Sequence, residues 1–189
     1  GLQLAEGFEG VPHKVLFAEY EGPRVALASE WRWLDNGAGW NANLENIAWM
    51  HRYGHVRLTD VEWLQRLCEY VAANDVKLVV IDTMIRAAGA PENDSQAMDA
   101  VASAFDRLRA ATNGGAVLYI HHLRKQASTD EWDEDIDTSL RGSTAIAGSY
   151  DHHLAFRVGG QPGSLHLFTR SKLDEDRCYR VRWKVSEPE

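Results

Sequence analysis

The stretch Leu78-Val79-Val80-Ile81-Asp82-Thr83 constrains the fold more than any other part of the chain. Four consecutive apolar residues, introduced by Lys77 and ended by an acid, leave no polar face, so the strand they form is buried on both sides. Burial on both sides is the condition of a parallel sheet, because the crossovers between parallel strands lay helices over each face. Two further runs follow the same pattern. Val15-Leu16-Phe17-Ala18, in a predicted strand over residues 14–18, delivers Glu19, and Val117-Leu118-Tyr119-Ile120, read as a buried strand, delivers His121 and His122.

Helical periodicity fills the gaps between these strands. Thr59-Asp60-Val61-Glu62 reads as a capping box opening a helix over residues 61–73, with Val61, Leu64, Cys68 and Val71 on its buried face. Ser95 is the predicted N-cap of a second helix, with Met98, Val101, Phe105 and Leu108 inward and Asn113-Gly114-Gly115 as its stop. Pro23 opens a helical stretch through Leu34 that Asn36-Gly37 closes, and residues up to Asn43 read as loop. Gly1 to Glu6 reads as the end of a helix without a start signal. The alternation of strand and helix predicts an α/β fold with a mostly parallel sheet flanked by helices. In such folds functional groups gather beyond the carboxyl ends of the strands, where Glu19, Asp82 and the His121-His122 pair all fall.

Beyond residue 122 the character changes. Residues 125–139 carry six carboxylates, Asp130, Glu131, Asp133, Glu134, Asp135 and Asp137, without periodicity, and read as a mobile acidic loop. Runs at residues 152–158, 164–169 and 177–185 predict an antiparallel extension, with the glycine- and proline-containing residues 159–163 as the first turn. In the last run Tyr179, Val181, Trp183 and Val185 alternate with Arg180, Arg182 and Lys184, predicting one buried and one basic face. At 189 residues the chain fits one domain, expected over residues 1–185, with 186–189 as a tail.

Composition narrows the class. Hydrophobic residues at 44% and charged residues at 25% exclude disordered, collagenous and coiled-coil chains. No apolar run approaches the ~20 residues that cross a bilayer and no signal segment opens the sequence, so a cytoplasmic protein without a membrane role is expected. Cys68 and Cys178 are far apart and lack C-x-x-C spacing, which argues against a disulfide scaffold or a zinc knuckle. The net charge of −8 excludes a generally basic nucleic-acid coat and confines any such contact to a local patch.

Glu19 and Asp82 together suggest phosphoryl transfer to water. That reaction needs one carboxylate to position the water and another to orient a metal ion, and converging strand tips supply both from distant positions. Either acid alone also reads as a polar strand end, Glu21 competes with Glu19, and Thr83 also reads as a helix cap. The pairs His121-His122 and His152-His153 do not suit zinc, since neighbours on a strand point to opposite faces. Arg141 reads either as a solvated guanidinium or, with Gly142-Ser143-Thr144 after it, as a phosphate ligand.

The ordered set Ala18-Glu19, Val79-Val80-Ile81-Asp82-Thr83, His121-His122, Arg141-Gly142-Ser143 and Ser171-Lys172 resembles the RecA-like ATPases, in particular the RepA-type hexameric replicative helicases and their phage and plasmid relatives. The likeness covers nearly the whole chain. It implies that Glu19 positions the attacking water and that Asp82 orients Mg2+ through a bound water. It also implies that His121 and His122 sense the γ-phosphate or couple it to DNA, and that Arg141 reaches the neighbouring subunit's site. Thr83 and Lys172 complete the implied nucleotide contacts. ATP and Mg2+ are the implied substrate and cofactor, and a homo-oligomeric ring, possibly of six subunits and acting on single-stranded DNA, is the implied assembly.

Two departures stand against this pattern. No G-x-x-x-x-G-K-[ST] segment occurs anywhere in the 189 residues, so the phosphate cradle and its lysine are missing from this sequence. The family's strand before that loop is central. Its loss is expected to leave two unpaired inner edges and an uncovered apolar surface, pointing to a fragment, a preceding segment or a strand from another chain. The carboxylates of residues 125–139 also disfavour phosphate contact by that loop unless Arg124 and Lys125 dominate locally. The readings carried forward are an ATPase coupled to DNA translocation or remodelling, a RecA-like binding or regulatory module without hydrolysis, and a metal-dependent phosphohydrolase.

Overall fold

The computed structural model describes residues 12–22, 28–32, 44–51, 57–91, 94–122, 149–158 and 164–182. The chain divides after His121 into two compact units. The acidic run 125–139, Arg141, the turn 159–163 and residues 1–11 lie outside the described residues.

The first unit is built on a four-stranded parallel sheet. Its elements are β1 (Lys14–Glu19), the helical residues 28–32 (α1), a 3-10 turn at Leu44–Asn46, β2 (Ile47–His51), α2 (Val61–Ala73), β3 (Val76–Asp82), α3 (Met84–Ala88), α4 (Ser95–Ala111) and β4 (Ala116–Tyr119). The strand order is β2-β1-β3-β4, and every pairing is parallel. With the antiparallel sheet of the second unit, this is the α/β architecture expected from the strand and helix alternation, and the RecA-like fold that the motif resemblance implied.

The central strands behave as their composition dictates. Leu16, Ala18, Val79, Val80 and Ile81 are all buried, as are Leu64, Leu67 and Val71 of α2 and Met98, Val101, Phe105 and Leu108 of α4. Each large aliphatic side chain so buried contributes about 1.5–3 kcal/mol. The α2 face is rotated from the expected one, because Leu67 is buried where Val61 was expected, Val61 is exposed and Cys68 is only half-buried. The helix starts are set by acids. Asp60 caps α2 by accepting from Trp63 N (3.1 Å), and Asp94 caps α4 by accepting from Ala97 N (3.1 Å). Thr59 and Ser95 therefore do not cap. The Thr59 hydroxyl instead donates to the Ala88 carbonyl at 3.3 Å, tying the start of α2 to the end of α3.

Three features depart from the expected sheet. β2 was not anticipated, although Ile47-Ala48-Trp49-Met50 is a short apolar run with a polar tip like the others; it pairs with β1 from Val15↔Ile47 to Glu19↔His51. β4 is not buried on both faces, since Leu118 and Ile120 are 45% and 39% exposed and its strand partner among the described residues is β3 alone. The sheet is also continuous. β3 pairs directly with β1 and with β4, so no unpaired inner edge occurs among the described strands, whose sheet ends at β2 and β4. Gly115 permits the entry into β4, because a Cβ there would overlap the Lys77 backbone carbonyl.

The second unit contains an antiparallel sheet ordered β5 (His152–Val158), β6 (Ser164–Ser171), β7 (Arg177–Arg182). The three strands fall where the alternating runs predicted. Of the expected buried face of β7, Tyr179 is 44% exposed and Val181 half-buried, while Trp183 and Val185 lie outside the described residues; in the same rows of β5, Phe156 is 55% and Val158 78% exposed. These side chains share one face of the three-stranded sheet.

Candidate active site

The parallel register places three polar residues in one transverse row at the carboxyl ends of adjacent strands. Glu19 ends β1, with His51 of β2 opposite it on one side and Asp82 of β3 on the other. Neighbouring strands lie about 4.8 Å apart, and in-register residues of parallel strands point to the same face. On that face, one pleat further back, Phe17 and Trp49 lie with ring centroids 5.2 Å apart, and Trp31 of α1 packs edge-on to both, at 6.0 and 5.2 Å. The polar row therefore stands at the end of an apolar floor.

Burial singles out two groups at this tip. Glu19 is 4% exposed and Thr83 3%, and among the described residues only Thr112 and Ser164 are other polar side chains so enclosed. Thr112 is accounted for locally, since its hydroxyl donates to the Arg109 carbonyl (2.7 Å) at the end of α4. Enclosing a carboxylate is costly unless donors compensate it. For Glu19 they come from the next turn of the chain: Glu21 N and Gly22 N both donate to Oε1, at 2.7 and 2.6 Å. Oε2 has no hydrogen-bond partner among the described residues.

The turn of residues 20–22 is held at several further points. Tyr20 N donates to the Asp82 carbonyl, continuing the β1–β3 ladder past its last residue. The Gly22 carbonyl lies 2.9 Å from His51 Nε2, and because a carbonyl only accepts, Nε2 carries the proton and donates. Thr83 Oγ1 donates to Glu21 Oε2 at 3.1 Å. Thr83 occupies the N-cap position of α3 but makes no side-chain cap bond, so its hydroxyl serves the acidic turn instead. The Asp82–Thr83 peptide bond is cis. The Tyr20 ring points into the core, where burial pushes its hydroxyl up to about 12; the nearby Trp63 indole N–H, not aligned for a hydrogen bond, pulls the other way.

The remaining expected site residues are placed as follows. His121 is half-buried just beyond β4, whose tip is joined to β3 by Ile120 N donating to the Ile81 carbonyl (2.9 Å) and to the start of α3 by Met84 N donating to the Ile120 carbonyl (2.9 Å). His122 and Lys172 belong to the second unit, and both are exposed. Lys172 directly follows β6, its amide donating to the Asp151 carbonyl (3.1 Å) and its Nζ 3.8 Å from Asp151 Oδ1. Thus Glu19, Asp82 and Thr83 are brought together, Glu21 joins them, and His51 completes the row. Sequence reasoning missed His51 because it missed β2; the signal was the polar residue ending an apolar run.

The donor set is oxygen-rich. No cluster of three His, Cys, Asp or Glu side chains placed to hold a metal occurs among the described residues. Asp82 and Thr83 at one strand tip suit Mg2+, which retains most of its waters and binds through one or two protein oxygens together with substrate phosphates. No helix of the described residues is long and apolar enough to cross a membrane.

Comparison with known proteins agrees with this geometry. A family model described as an AAA domain matches residues 2–128, which spans β1 to β4 and the whole polar row. Among solved structures the chain is similar to a KaiC-like protein from the hyperthermophilic archaeon Pyrococcus horikoshii. The TM-score is 0.60 at 12% identity, with 92% of this chain and 72% of that chain covered. No curated protein matches the chain.

Proposed function

The chain belongs to the AAA domain family, and on that premise we propose that it hydrolyses ATP with Mg2+ and couples the hydrolysis to translocation along, or remodelling of, DNA. The observation that carries the hydrolytic part is the placement of the enclosed carboxylate of Glu19 in register with Asp82 at the tips of paired parallel strands. Glu19 Oε1 is committed to the backbone, so Oε2 is the atom that orients the attacking water and accepts its proton. Asp82 would hold the metal, and Thr83 and Glu21, bonded to each other, border the same position. When bound, Mg2+ would supply neutralisation of the charge on the transferring phosphoryl group.

In this reading His121 and His122 respond to the γ-phosphate, Lys172 contacts nucleotide, and Arg141 acts on the neighbouring subunit's nucleotide within a ring. The resemblance of the ordered motifs to RepA-type helicases supports those roles and the choice of single-stranded DNA as the track. The test is ATP hydrolysis by the product of the complete reading frame, with and without single-stranded DNA. Glu19→Gln is expected to bind ATP without turnover, and Asp82→Asn to lose the magnesium-dependent steps. Full turnover in both variants would overturn the assignment.

One observation favours a second reading, a RecA-like binding or regulatory module without hydrolysis: the 189 residues contain no G-x-x-x-x-G-K-[ST] segment to cradle phosphates. Undetectable ATP binding by the product of the complete reading frame would select it.

A further inference from the structure

We propose that His51 is a positioning residue that sets the carboxylate of Glu19 by clamping the turn of residues 20–22. The inference deepens the hydrolytic reading and, for its kinetic part, rests on it. The turn is gripped from two sides. On the inner side, Glu21 N and Gly22 N converge on one oxygen of Glu19 at 2.7 and 2.6 Å. On the outer side, the carbonyl of the same Gly22 accepts from His51 Nε2 at 2.9 Å, across a sequence separation of 29 residues. One residue thus transmits the position of β2 to the carboxylate of β1: His51 fixes Gly22, and Gly22 N–H fixes Oε1.

The geometry is selective in what it fixes. Two donors on Oε1 define both the direction of the carboxylate and its rotation, and leave Oε2 as the oxygen available to a water. The Gly22 position lies against the carboxylate, since a Cβ there would come 3.6 Å from Glu19 Oε1, so a small displacement of the turn displaces the acid directly. A histidine suits the task because the strand register places it in the same row as Glu19, and its Nε2–H projects far enough to reach beyond the end of β1. Glutamine projects a donor to about the same distance as Nε2. Asparagine falls short of it, and phenylalanine keeps the ring but has no donor.

These differences define the experiment. Backbone-amide hydrogen exchange at Gly22 is measured for the unmodified protein and for His51→Phe, His51→Asn and His51→Gln, together with ATP turnover by the product of the complete reading frame. Loss of one hydrogen bond in the clamp is expected to speed Gly22 exchange about tenfold in His51→Phe and His51→Asn. His51→Gln is expected to restore protection. In turnover, kcat is expected to fall about tenfold or more in the first two variants and recover in the third, with KM unchanged, because an ångström of misplacement at a reacting group is that costly. Unchanged exchange at Gly22 in His51→Asn would overturn the clamp, and His51→Asn guards against failure of the more drastic Phe variant to fold. Faster exchange with undiminished kcat would reduce His51 to a structural residue and overturn the positioning role. If the unmodified protein hydrolyses no ATP, the hydrolytic reading fails by itself, and the exchange order across the three variants still decides whether His51 sets the Glu19 carboxylate.

Discussion

Glu19 supports the turn of residues 20–22 as well as the proposed chemistry, and two substitutions separate those roles. Its Oε1 accepts from two backbone N–H groups while the side chain is 4% exposed, so both bonds are charge-assisted and shielded from water. Hydrogen bonds to a charged partner contribute about 1.5–3 kcal/mol each, and those to a neutral one about 0.5–1.5 kcal/mol. Glu19→Gln keeps an oxygen at the Oε1 position and loses only the charge, which over the two bonds amounts to about 2–3 kcal/mol. Glu19→Ala loses both bonds and strands two donors; partial rehydration at the strand tip limits the loss to about 3–4 kcal/mol. For a chain of this size each kcal/mol shifts the midpoint by about 2–4 °C. Thermal denaturation followed by circular dichroism should therefore place Glu19→Gln about 4–12 °C below the unmodified protein and Glu19→Ala lower still, about 6–16 °C below. ATP turnover should be lost in both. Equal stability of Glu19→Ala and the unmodified protein would refute the structural half of the argument. Full turnover in Glu19→Gln alongside an inactive Glu21→Gln would transfer the catalytic half to Glu21.

Tyr20→Phe should be as stable as the unmodified protein at neutral pH, because it removes a buried hydroxyl that has no hydrogen-bond partner. Because burial raises the folded-state pKa of Tyr20 to about 12, its stabilising contribution is complete below pH ~10 and is lost as pH rises through about 12. Chemical denaturation across that alkaline range should show a decline of about 2–3 kcal/mol that Tyr20→Phe lacks. Gly115→Ala should lower the melting temperature by several degrees, since its Cβ meets the Lys77 carbonyl and the start of β4 must move; an unchanged midpoint would contradict that contact. For Arg141, whose trans role comes from the resemblance, two inactive variants, Arg141→Ala and Glu19→Gln, should regain ATPase activity when mixed. Confirmed mixed assemblies with no gain would count against action across an interface.

The sequence by itself determined the elements whose residues answer to local rules. The apolar runs ending in Glu19 and Asp82 read as strands, because four-residue runs rich in Val and Ile or Phe and bounded by polar residues are too short for a buried helix. The periodic segments led by Leu64 and Met98 had to be helices, and β5, β6 and β7 appeared wherever apolar and polar residues alternated. Their placement was legible because each signal lies within a few residues of its own effect. The tertiary structure alone decided the matters that depend on partners. Asp60 and Asp94, one residue away from the expected caps, took the helix starts, and the Thr59 hydroxyl was then drawn to Ala88 across the fold. β4, apolar enough for a central strand, became exposed because strand order places it at the edge of the described sheet. The candidate site shows the same division: Glu19 and Asp82 could be named from their strands. His51 entered the site only through parallel pairing with β1, and the choice of Oε1 as the anchored oxygen came only from the path of the next three residues. Strand register and turn geometry arise from interactions between segments far apart in the chain, so neither is legible in any single stretch of it.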